Sequence, residues 1–353
     1  VSGYSGFSTF KTSAVAPSTP SLTFNTIGTT SVSISATSSA GNNSPIRAYR
    51  FYCSKTGWTG WQTGSSYTFT GLSANSNYTF SAQSKTDGDT ASGIVNVDRK
   101  TDSYPPSFTT SAVVRNITTN SIEMVAGNVA TQIGVKEYRW FRNGTHISTT
   151  TSHVYKFTGL SPFTTYTLAV SVYDNKNRTA QQSTSGKTKA TPISGASLVV
   201  TSINQSTAKL TASATAQAGI ARYEYSIDGG STYTQRASNT FDTSVRPGVT
   251  YKFRVKITDN EGNQVTADAE ARSHYSDPIA YISSITEITP FTAKVNVSSS
   301  SQGPVSQYRY KVGTGSWVTL NGNPSSFTLS GLKPNTAYAI EYQVKNSDNY
   351  WSA

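Results

Sequence analysis

Apolar and polar residues alternate along short stretches of this chain, and turn-forming residues separate the stretches. Residues 30–36 read Thr-Ser-Val-Ser-Ile-Ser-Ala, so every second side chain is apolar. A period of two is typical of a β-strand with one face in a core and the other in solvent. A second pattern, aliphatic-x-x-Tyr-x-aromatic, occupies residues 46–51 and recurs three times further along the chain. Both patterns predict strands, and the chain is predicted to be all-β.

A similar turn motif precedes a tyrosine at four places in the sequence. Its last copy reads Gly-Leu-Lys-Pro-Asn-Thr-Ala-Tyr and ends at Tyr338. In each copy an aliphatic residue stands six positions before the tyrosine, and the tyrosines are 88, 85 and 87 residues apart. The four are Tyr78, Tyr166, Tyr251 and Tyr338. A repeat of this length predicts a tandem array of four domains that share one topology.

Proline marks the predicted domain boundaries, at Pro105-Pro106, Pro192 and Pro278. Proline lacks a backbone donor and therefore discourages a sheet from continuing across the joint. The predicted domains are residues 14–102, 103–190, 191–276 and 277–353. Because the linkers between them are short, we expect the domains to form an extended rod.

The two ends of the chain look complementary. Residues 1–13, with Phe7 and Phe10, resemble the last strand of a preceding repeat that is absent. The fourth predicted domain stops at Trp351-Ser352-Ala353 and is expected to lack most of its final strand. Two interpretations stay open. The chain is a segment of a longer array, or residues 1–13 of one copy complete the fourth domain of the next by strand addition.

These motifs resemble the fibronectin type III family, within the immunoglobulin-like β-sandwiches. Leu332, Pro334, Thr336 and Tyr338 match the family's Leu-x-Pro-x-Thr-x-Tyr corner, whereas the tryptophan usual in its second strand is missing from every copy. The resemblance implies four tandem seven-stranded sandwiches of a divergent bacterial or phage type. It also implies a tyrosine corner at each of the four repeated tyrosines, in which the ring is buried and the hydroxyl bonds to local backbone.

Net charge is +11, and only 13% of residues are charged. The basic excess is concentrated in residues 103–190, which contain nine basic residues and three acidic ones. Lys136, Arg139 and Arg142 lie along one predicted strand and are candidates for contact with an acidic surface. A solvated strand face is the alternative. Since no basic groove interleaved with aromatic residues occurs, nucleic acid is not an expected partner.

Residues that carry chemistry are sparse. His146, His153 and His274 are scattered and have no metal-ligand spacing, so we expect no catalytic residue, metal or cofactor. Asp259 and Glu261 lie in a predicted hairpin, where turn formation explains them better than a calcium ion. No run of about 18 apolar residues occurs, so no membrane insertion is expected. The chain is not expected to be an enzyme.

Two tryptophans are candidate contacts for a partner or a sugar. Trp58 and Trp61 lie three residues apart in a stretch rich in Gly and Thr. Trp61 has counterparts at Tyr233 and Trp317, which favours a structural role, whereas Trp58 has none. The single cysteine, Cys53, shares strand parity with Phe51 and is predicted to be a small buried hydrophobe.

The sequence as a whole indicates a non-enzymatic structural or adhesive repeat region, located outside a cell or on a virus particle. A bacteriophage tail or head fibre or decoration protein is the first expectation. A bacterial surface adhesin or filament subunit is one alternative, and accessory domains of a secreted polysaccharide-degrading enzyme are another. Expected partners are other copies or neighbouring proteins of the fibre, cell-surface glycans, or an acidic surface.

Overall fold

A computed structural model describes residues 6–41 and 44–353, so residues 1–5 of the predicted N-terminal strand lie outside the described residues. The described residues form 29 β-strands and no helix, which confirms the all-β prediction. They include no helix long and apolar enough to cross a membrane. Four stretches are named here: the first segment (14–102), the second (103–190), the third (191–276) and the fourth (277–353).

The chain divides into two compact units. One holds the first two segments up to Thr188, except Ser161–Phe163; the other holds those three residues and the chain from Lys189 onward. Each unit contains two separate hydrophobic clusters. Whether the four segments fold independently, as four domains would, stays a prediction.

In the first segment, seven antiparallel strands form two sheets. The strands are β1 (Ser21–Ile27), β2 (Val32–Thr37), β3 (Ile46–Cys53), β4 (Gly57–Trp58), β5 (Ser66–Phe69), β6 (Asn77–Thr86) and β7 (Val95–Lys100). The three-stranded sheet has the order β1-β2-β5, and the four-stranded sheet has the order β4-β3-β6-β7. Val32, Ile34 and Phe51 are fully buried where the two sheets face each other.

The second segment has nine strands instead of the seven expected. They are β8 (Ser107–Phe108), β9 (Val113–Arg115), β10 (Ile122–Val125), β11 (Val129–Ala130), β12 (Val135–Arg142), β13 (Thr145–Thr150), β14 (Val154–Phe157), β15 (Thr165–Asp174) and β16 (Thr179–Lys187). The expected first strand is broken into β8 and β9, and the expected second strand is broken into β10 and β11. β8 pairs with β11, and β9 pairs with β10. Both strands are interrupted where Thr110 passes close to Gly127. A Cβ atom on Gly127 would lie only 1.8 Å from the Thr110 carbonyl oxygen. The remaining sheet, β13-β12-β15-β16, repeats the four-stranded order.

The third segment has the strand order of the first. Its strands are β17 (Ser194–Ile203), β18 (Thr207–Thr215), β19 (Ile220–Ser226), β20 (Thr234–Arg236), β21 (Thr240–Ser244), β22 (Thr250–Asp259) and β23 (Gln264–Arg272). They form the sheets β17-β18-β21 and β20-β19-β22-β23.

In the fourth segment, the described residues form six strands. They are β24 (Ile279–Thr286), β25 (Thr292–Ser300), β26 (Val305–Val312), β27 (Val318–Leu320), β28 (Ser326–Ser330) and β29 (Ile340–Asn346). The sheets are β24-β25-β28 and β27-β26-β29. Beyond β29, Trp351 forms a single bridge to Lys345, and the Ser352 N–H donates to the Val344 carbonyl at 2.8 Å.

A buried aromatic residue of β3, β12 and β19 anchors three of the four clusters. Phe51, Trp140 and Tyr225 are at most 1% exposed. Removing a ring of this kind from a packed core typically costs about 3–5 kcal/mol, because the cavity closes only in part. Cys53 is also fully buried, as its strand parity predicted.

The turn that follows β6, β15, β22 and β29 has the same geometry in every segment, and we call it the closing hairpin. It spans residues 86–90, 174–178, 259–263 and 346–350. In the second segment the Asn177 N–H donates to the Asp174 carbonyl, and the Asp174 N–H donates to the Arg178 carbonyl. The fourth residue of each turn has a positive φ: Asp89, Asn177, Gly262 and Asn349. Asn, Asp and Gly adopt that conformation most readily, which is why they recur at this position.

Within each unit, the closing hairpin of the later segment holds the linker that enters it. In the first unit, Lys176 forms an ion pair with Asp102, and the Arg178 guanidinium donates to the backbone and side chain of Ser103. In the second unit, Arg272 forms an ion pair with Asp348 at 2.8 Å. The Asp348 carboxylate also accepts the N–H of Tyr275 at 2.7 Å. Both linkers are therefore fixed by charge-assisted hydrogen bonds.

Candidate binding surface

Three of the four repeated tyrosines are hydrogen-bonded to the turn that precedes them in the sequence. The hydroxyl of Tyr78 accepts the Ser73 N–H at 2.9 Å, and that of Tyr251 accepts the Arg246 N–H at 2.7 Å. The Tyr338 hydroxyl accepts the Lys333 N–H at 2.8 Å. These hydroxyl bonds have the geometry that the tyrosine-corner resemblance implies, whereas the rings are half-buried instead of buried. At the second copy, the ring of Tyr166 packs against the core, and the Arg142 guanidinium lies 6.0 Å from its centre.

Both candidate tryptophans contact one arginine on the outer face of the four-stranded sheet of the first segment. The Arg50 guanidinium carbon lies 4.5 Å from the Trp58 ring centre and 4.8 Å from that of Trp61. A guanidinium over an aromatic ring is attracted by the ring quadrupole. Lys85 lies 4.9 Å from the Trp61 ring centre and adds a second cation to the same face.

A glutamine orients this arginine. The Arg50 Nε and Nη2 atoms donate to Gln83 Oε1 at 2.9 and 2.5 Å. The amide of Gln83 then donates to the Ser92 carbonyl at 2.7 Å. Gln83 and Ser92 are both at least nine-tenths buried. A buried and ordered polar network therefore fixes the position of the Arg50 guanidinium.

The same stack recurs in the fourth segment. The Arg309 guanidinium lies 4.1 Å from the Trp317 ring centre and 3.6 Å from that of Trp351. Its Nε and Nη2 donate to Gln343 Oε1 at 3.1 and 2.6 Å, and Gln343 donates to the Ser352 carbonyl at 3.1 Å. Burial lowers the pKa of Arg309 from its ordinary value.

The second and third segments vary this arrangement. Arg139 occupies the position of Arg50 and lies 4.2 Å from the Tyr173 ring centre. A hydrogen bond to Glu137 raises the pKa of Arg139. In the third segment the corresponding residue is Glu224, which pairs with Lys256 at 3.1 Å. Lys256 in turn lies 4.8 Å from the ring centre of Tyr233.

Sequence reasoning singled out Arg139 but missed Arg50 and Arg309. The signal was present, because the tripeptide Tyr-Arg-aromatic occurs at 49–51, 138–140 and 308–310. Strand alternation places the arginine on the face opposite the two aromatic residues. The cross-strand partners, Gln83 and Gln343, carry no sequence signal of this kind.

The three basic residues of β12 have different surroundings. Lys136 is exposed and donates to Asn177 Oδ1 at 2.7 Å. Arg139 is neutralised by Glu137, with Nη2 and Oε1 2.6 Å apart. Arg142 lies near Tyr166, at the other end of the strand. Contact of these residues with an acidic surface stays a prediction.

Trp58 is the tryptophan of the first stack with the most open ring. Its side chain is 37% exposed, and the Tyr52 ring lies 5.3 Å away, centre to centre, in a tilted arrangement. Trp61 is half-buried between Arg50 and Lys85. Chemically, an ordered and partly exposed indole offers a platform on which a sugar ring or an apolar side chain can stack.

The carboxylates of the third closing hairpin are engaged in hydrogen bonds. Asp259 Oδ1 accepts the N–H groups of Glu261 and Asn263 at 2.9 and 2.8 Å. Glu261 accepts the N–H of Ala190 at 2.7 Å. Across residues 6–41 and 44–353, no group of three or more His, Cys, Asp and Glu side chains is arranged to hold a metal ion.

Comparison with known proteins finds similarity among solved structures only. No protein-family model matches the chain, and no curated protein matches it. Among solved structures, the chain is similar to one described as "Crystal structure of tetra-tandem repeat in extending region of large adhesion protein". The identity is 14% and the TM-score 0.35, and the match covers 96% of this chain and 98% of that one. At that TM-score the likeness does not establish a shared fold.

Proposed function

We propose that this chain is a non-enzymatic spacer region of an extracellular fibre, built from four fibronectin type III-like β-sandwiches. A bacteriophage tail or head fibre or decoration protein is the assignment we favour, with other copies or neighbouring fibre proteins as partners. A bacterial surface adhesin or filament subunit would use the same mechanics. The tyrosine corners and the recurring three- and four-stranded sheets support the sandwich assignment.

The fixed linkers support the spacer function best. A flexible tether needs a linker that rotates freely, rich in Gly and Ser. Here the linker residues Asp102 and Ser103 are bonded to Lys176 and Arg178, and Arg272 and Tyr275 are bonded to Asp348. Breaking several charge-assisted hydrogen bonds would be required before either linker could bend freely.

Immuno-electron microscopy of the native source, with antibody against residues 103–190, tests the location. Label along fibres on virus particles is the expected result. Label on cell surfaces would replace the phage assignment with the adhesin. Label only on released protein would contradict both and favour the accessory region of a secreted polysaccharide-degrading enzyme.

A second candidate function is glycan binding through Trp58, favoured by its ordered and partly exposed ring. Trp58→Ala should abolish retention on immobilised cell-surface polysaccharide, because aromatic stacking would be lost. Tyr281→Ala is the matched control, since Tyr281 is also exposed but has no place in the stack. If the unsubstituted chain is not retained, or Trp58→Ala is retained equally, glycan binding at this surface is ruled out.

A further inference from the structure

A cleft lies at the joint between the third and fourth segments. Its volume is about 620 Å³, which is within the range of small-ligand sites. The third segment contributes Arg246, Pro247 and Val249 to its walls, and the fourth contributes Ser300 and Ser301. Both segments belong to the second unit, so a ligand in this cleft would contact two segments of one compact body.

The backbone around the cleft is fixed by contacts within the joint. Gln302 Oε1 accepts the Ser276 N–H at 3.1 Å, and the Gln302 amide donates to the Pro247 carbonyl at 2.9 Å. The Tyr275 ring packs so closely against Gly303 that a Cβ atom there would lie 2.0 Å from the ring. One glutamine therefore connects the linker to both segments, and the cleft is formed without a ligand.

A serine of this cleft has an unpaired hydroxyl group. The Ser301 hydroxyl is buried and has no hydrogen-bond partner among the described residues. At the same position in the second segment, Thr131 Oγ1 accepts the Ile133 N–H at 3.3 Å. A buried hydroxyl without a partner is unfavourable, so an acceptor supplied by a ligand would be stabilising. Ser301 lines the cleft, and rotation about its Cα–Cβ bond can turn the hydroxyl toward a ligand.

Arg246 supplies a positive charge to the same cleft. Its backbone is fixed, because its N–H donates to the Tyr251 hydroxyl at 2.7 Å and its carbonyl accepts the Ser273 hydroxyl. Its side chain is exposed, and the guanidinium forms no ion pair or hydrogen bond with any residue of the described ranges. None of the described residues that line the cleft is Asp or Glu. The guanidinium is therefore free to bind an anion.

The joint of the first unit lacks this chemistry. Ser73 takes the place of Arg246, since each stands five residues before a repeated tyrosine. Ala130 takes the place of Ser300. A carboxylate placed there would lose water without gaining a cation, which is unfavourable. The charge and the hydroxyl groups are thus features of the third and fourth segments and not of the repeat in general.

These groups are suited to a carboxylate on a sugar ring. A carboxylate only accepts hydrogen bonds, and a guanidinium can donate two parallel N–H groups to its two oxygens. Pro247 and Val249, which is 39% exposed, offer an apolar wall for the C–H groups of the ring. Ser276 and Ser300 place two further hydroxyl groups in the cleft, where they can bond to the hydroxyls of a sugar.

We propose that this cleft binds a sugar acid, with its carboxylate on Arg246 and Ser301 and its ring hydroxyls on Ser276 and Ser300. The cleft contains none of the residues that form the Trp58 stack, so it is a separate site. Because the ligand bridges the third and fourth segments, it binds the closed joint better than an opened one. Binding should therefore stabilise the joint.

Saturation-transfer difference NMR of the whole chain, titrated with glucuronate, tests the site. Glucuronate should bind, and glucose, which lacks the carboxylate, should not. Arg246→Gln should weaken binding about tenfold, and Ser301→Ala should weaken it about fivefold, because donors to the carboxylate are lost. Neither side-chain group has a partner in the free chain, so thermal unfolding without ligand should not change.

Lys333→Gln is the matched control for Arg246→Gln. Lys333 stands five residues before Tyr338, as Arg246 stands before Tyr251, but it is not part of the cleft. Glucuronate binding should be retained in this variant. Absence of binding to the unsubstituted chain, equal binding of glucose, or equal affinities in Arg246→Gln and Lys333→Gln would overturn the proposal.

Trp58→Ala separates this site from glycan binding at the first segment. It should leave the affinity for glucuronate unchanged, whereas loss of binding would place the sugar at the tryptophan and refute the cleft as its site. Added NaCl should weaken the binding of glucuronate, because salt screens the attraction between its carboxylate and the guanidinium. An affinity that does not respond to salt would contradict the charged contact.

Cleavage by chymotrypsin after Tyr275 reports on the joint itself. Saturating glucuronate should slow this cleavage several-fold in the unsubstituted chain, because the bound sugar stabilises the closed joint. The same concentration of glucose should have no effect, and neither sugar should protect Arg246→Gln. Equal cleavage with glucuronate and with glucose would show that the sugar acid does not bridge the two segments, and the proposed binding mode would be wrong.

Discussion

Thr86 and Asp174 occupy the same position in successive closing hairpins, but only the side chain of Asp174 forms hydrogen bonds with the turn. Its Oδ1 accepts the N–H groups of Lys176 and Arg178 at 2.8 and 3.0 Å. Asn346 accepts two N–H groups in the same way in the fourth segment. The Thr86 hydroxyl is buried and has no hydrogen-bond partner among the described residues. Among the four closing hairpins, the first is therefore the one whose backbone N–H groups donate no hydrogen bond to the side chain at this position.

Thr86→Asn should stabilise the first segment by about 1 kcal/mol, because the amide oxygen would accept the N–H groups of residues 88 and 90. Cys53 offers a local measurement, since its buried thiol reacts only when this segment opens. Thiol labelling should slow about fivefold. Thr30→Asn, in an exposed turn, should leave the rate unchanged. An unaltered or faster rate in Thr86→Asn would contradict the explanation.

Asp174 should make the second segment sensitive to acid. Burial raises the pKa of its carboxyl group, but hydrogen bonds from Arg178 and Lys176 outweigh this and hold the pKa below the ordinary 3.8. Its stabilisation is therefore fully present above the unfolded value and is lost as pH falls through the lower folded value. Urea unfolding, followed by the fluorescence of Trp140, should show stability falling below about pH 4.

Asp174→Asn is the matched variant for this pH dependence. Asparagine keeps the oxygen that accepts the two turn N–H groups, as Asn346 does, but it does not titrate. The loss of stability below about pH 4 should be smaller in this variant. Equal losses in both proteins would assign the pH dependence to another group.

Two tyrosines of the third segment should respond oppositely to loss of the hydroxyl. Tyr251→Phe should lower the free energy of unfolding by about 1 kcal/mol, because the Arg246 N–H loses its acceptor. Tyr225→Phe should be neutral or stabilising, because its buried hydroxyl has no hydrogen-bond partner among the described residues. Burial also raises the pKa of Tyr225 to about 12. Urea unfolding followed by circular dichroism compares the two, and equal destabilisation would contradict the assignment.

Asp348 should control the linker between the third and fourth segments. Asp348→Ala removes the ion pair with Arg272 and the acceptor of the Tyr275 N–H. Cleavage by chymotrypsin after Tyr275 should accelerate several-fold, because the linker can then open locally. Glu287→Ala, which removes an exposed carboxylate of the same segment, is the control. Unchanged cleavage would mean that the linker is held by other contacts.

The sequence predicts the interior of each segment better than its outer face. Alternation and the Tyr-x-aromatic pattern located β3 and its buried Phe51, and the parity of Cys53 located a buried thiol. These features depend on neighbours within one strand. The Arg50–Gln83 bond and the grip of Arg178 on Ser103 join residues 33 and 75 positions apart. Such contacts depend on how strands are paired, which the local pattern does not encode.

The hydrogen bonds between Arg178 and Ser103 can form only after most of the second segment has been synthesised. Lys176 and Arg178 follow Asp102 and Ser103 by 74 and 75 residues. At about 5–20 residues per second, a growing chain leaves the first linker unclamped for roughly 4–15 s. During that interval the first segment has time to fold without its neighbour, and the bonds to the linker then form against a folded first segment. In the second and fourth segments the closing hairpin is the last turn to be synthesised, so its bonds to the linker form after the preceding segment is complete.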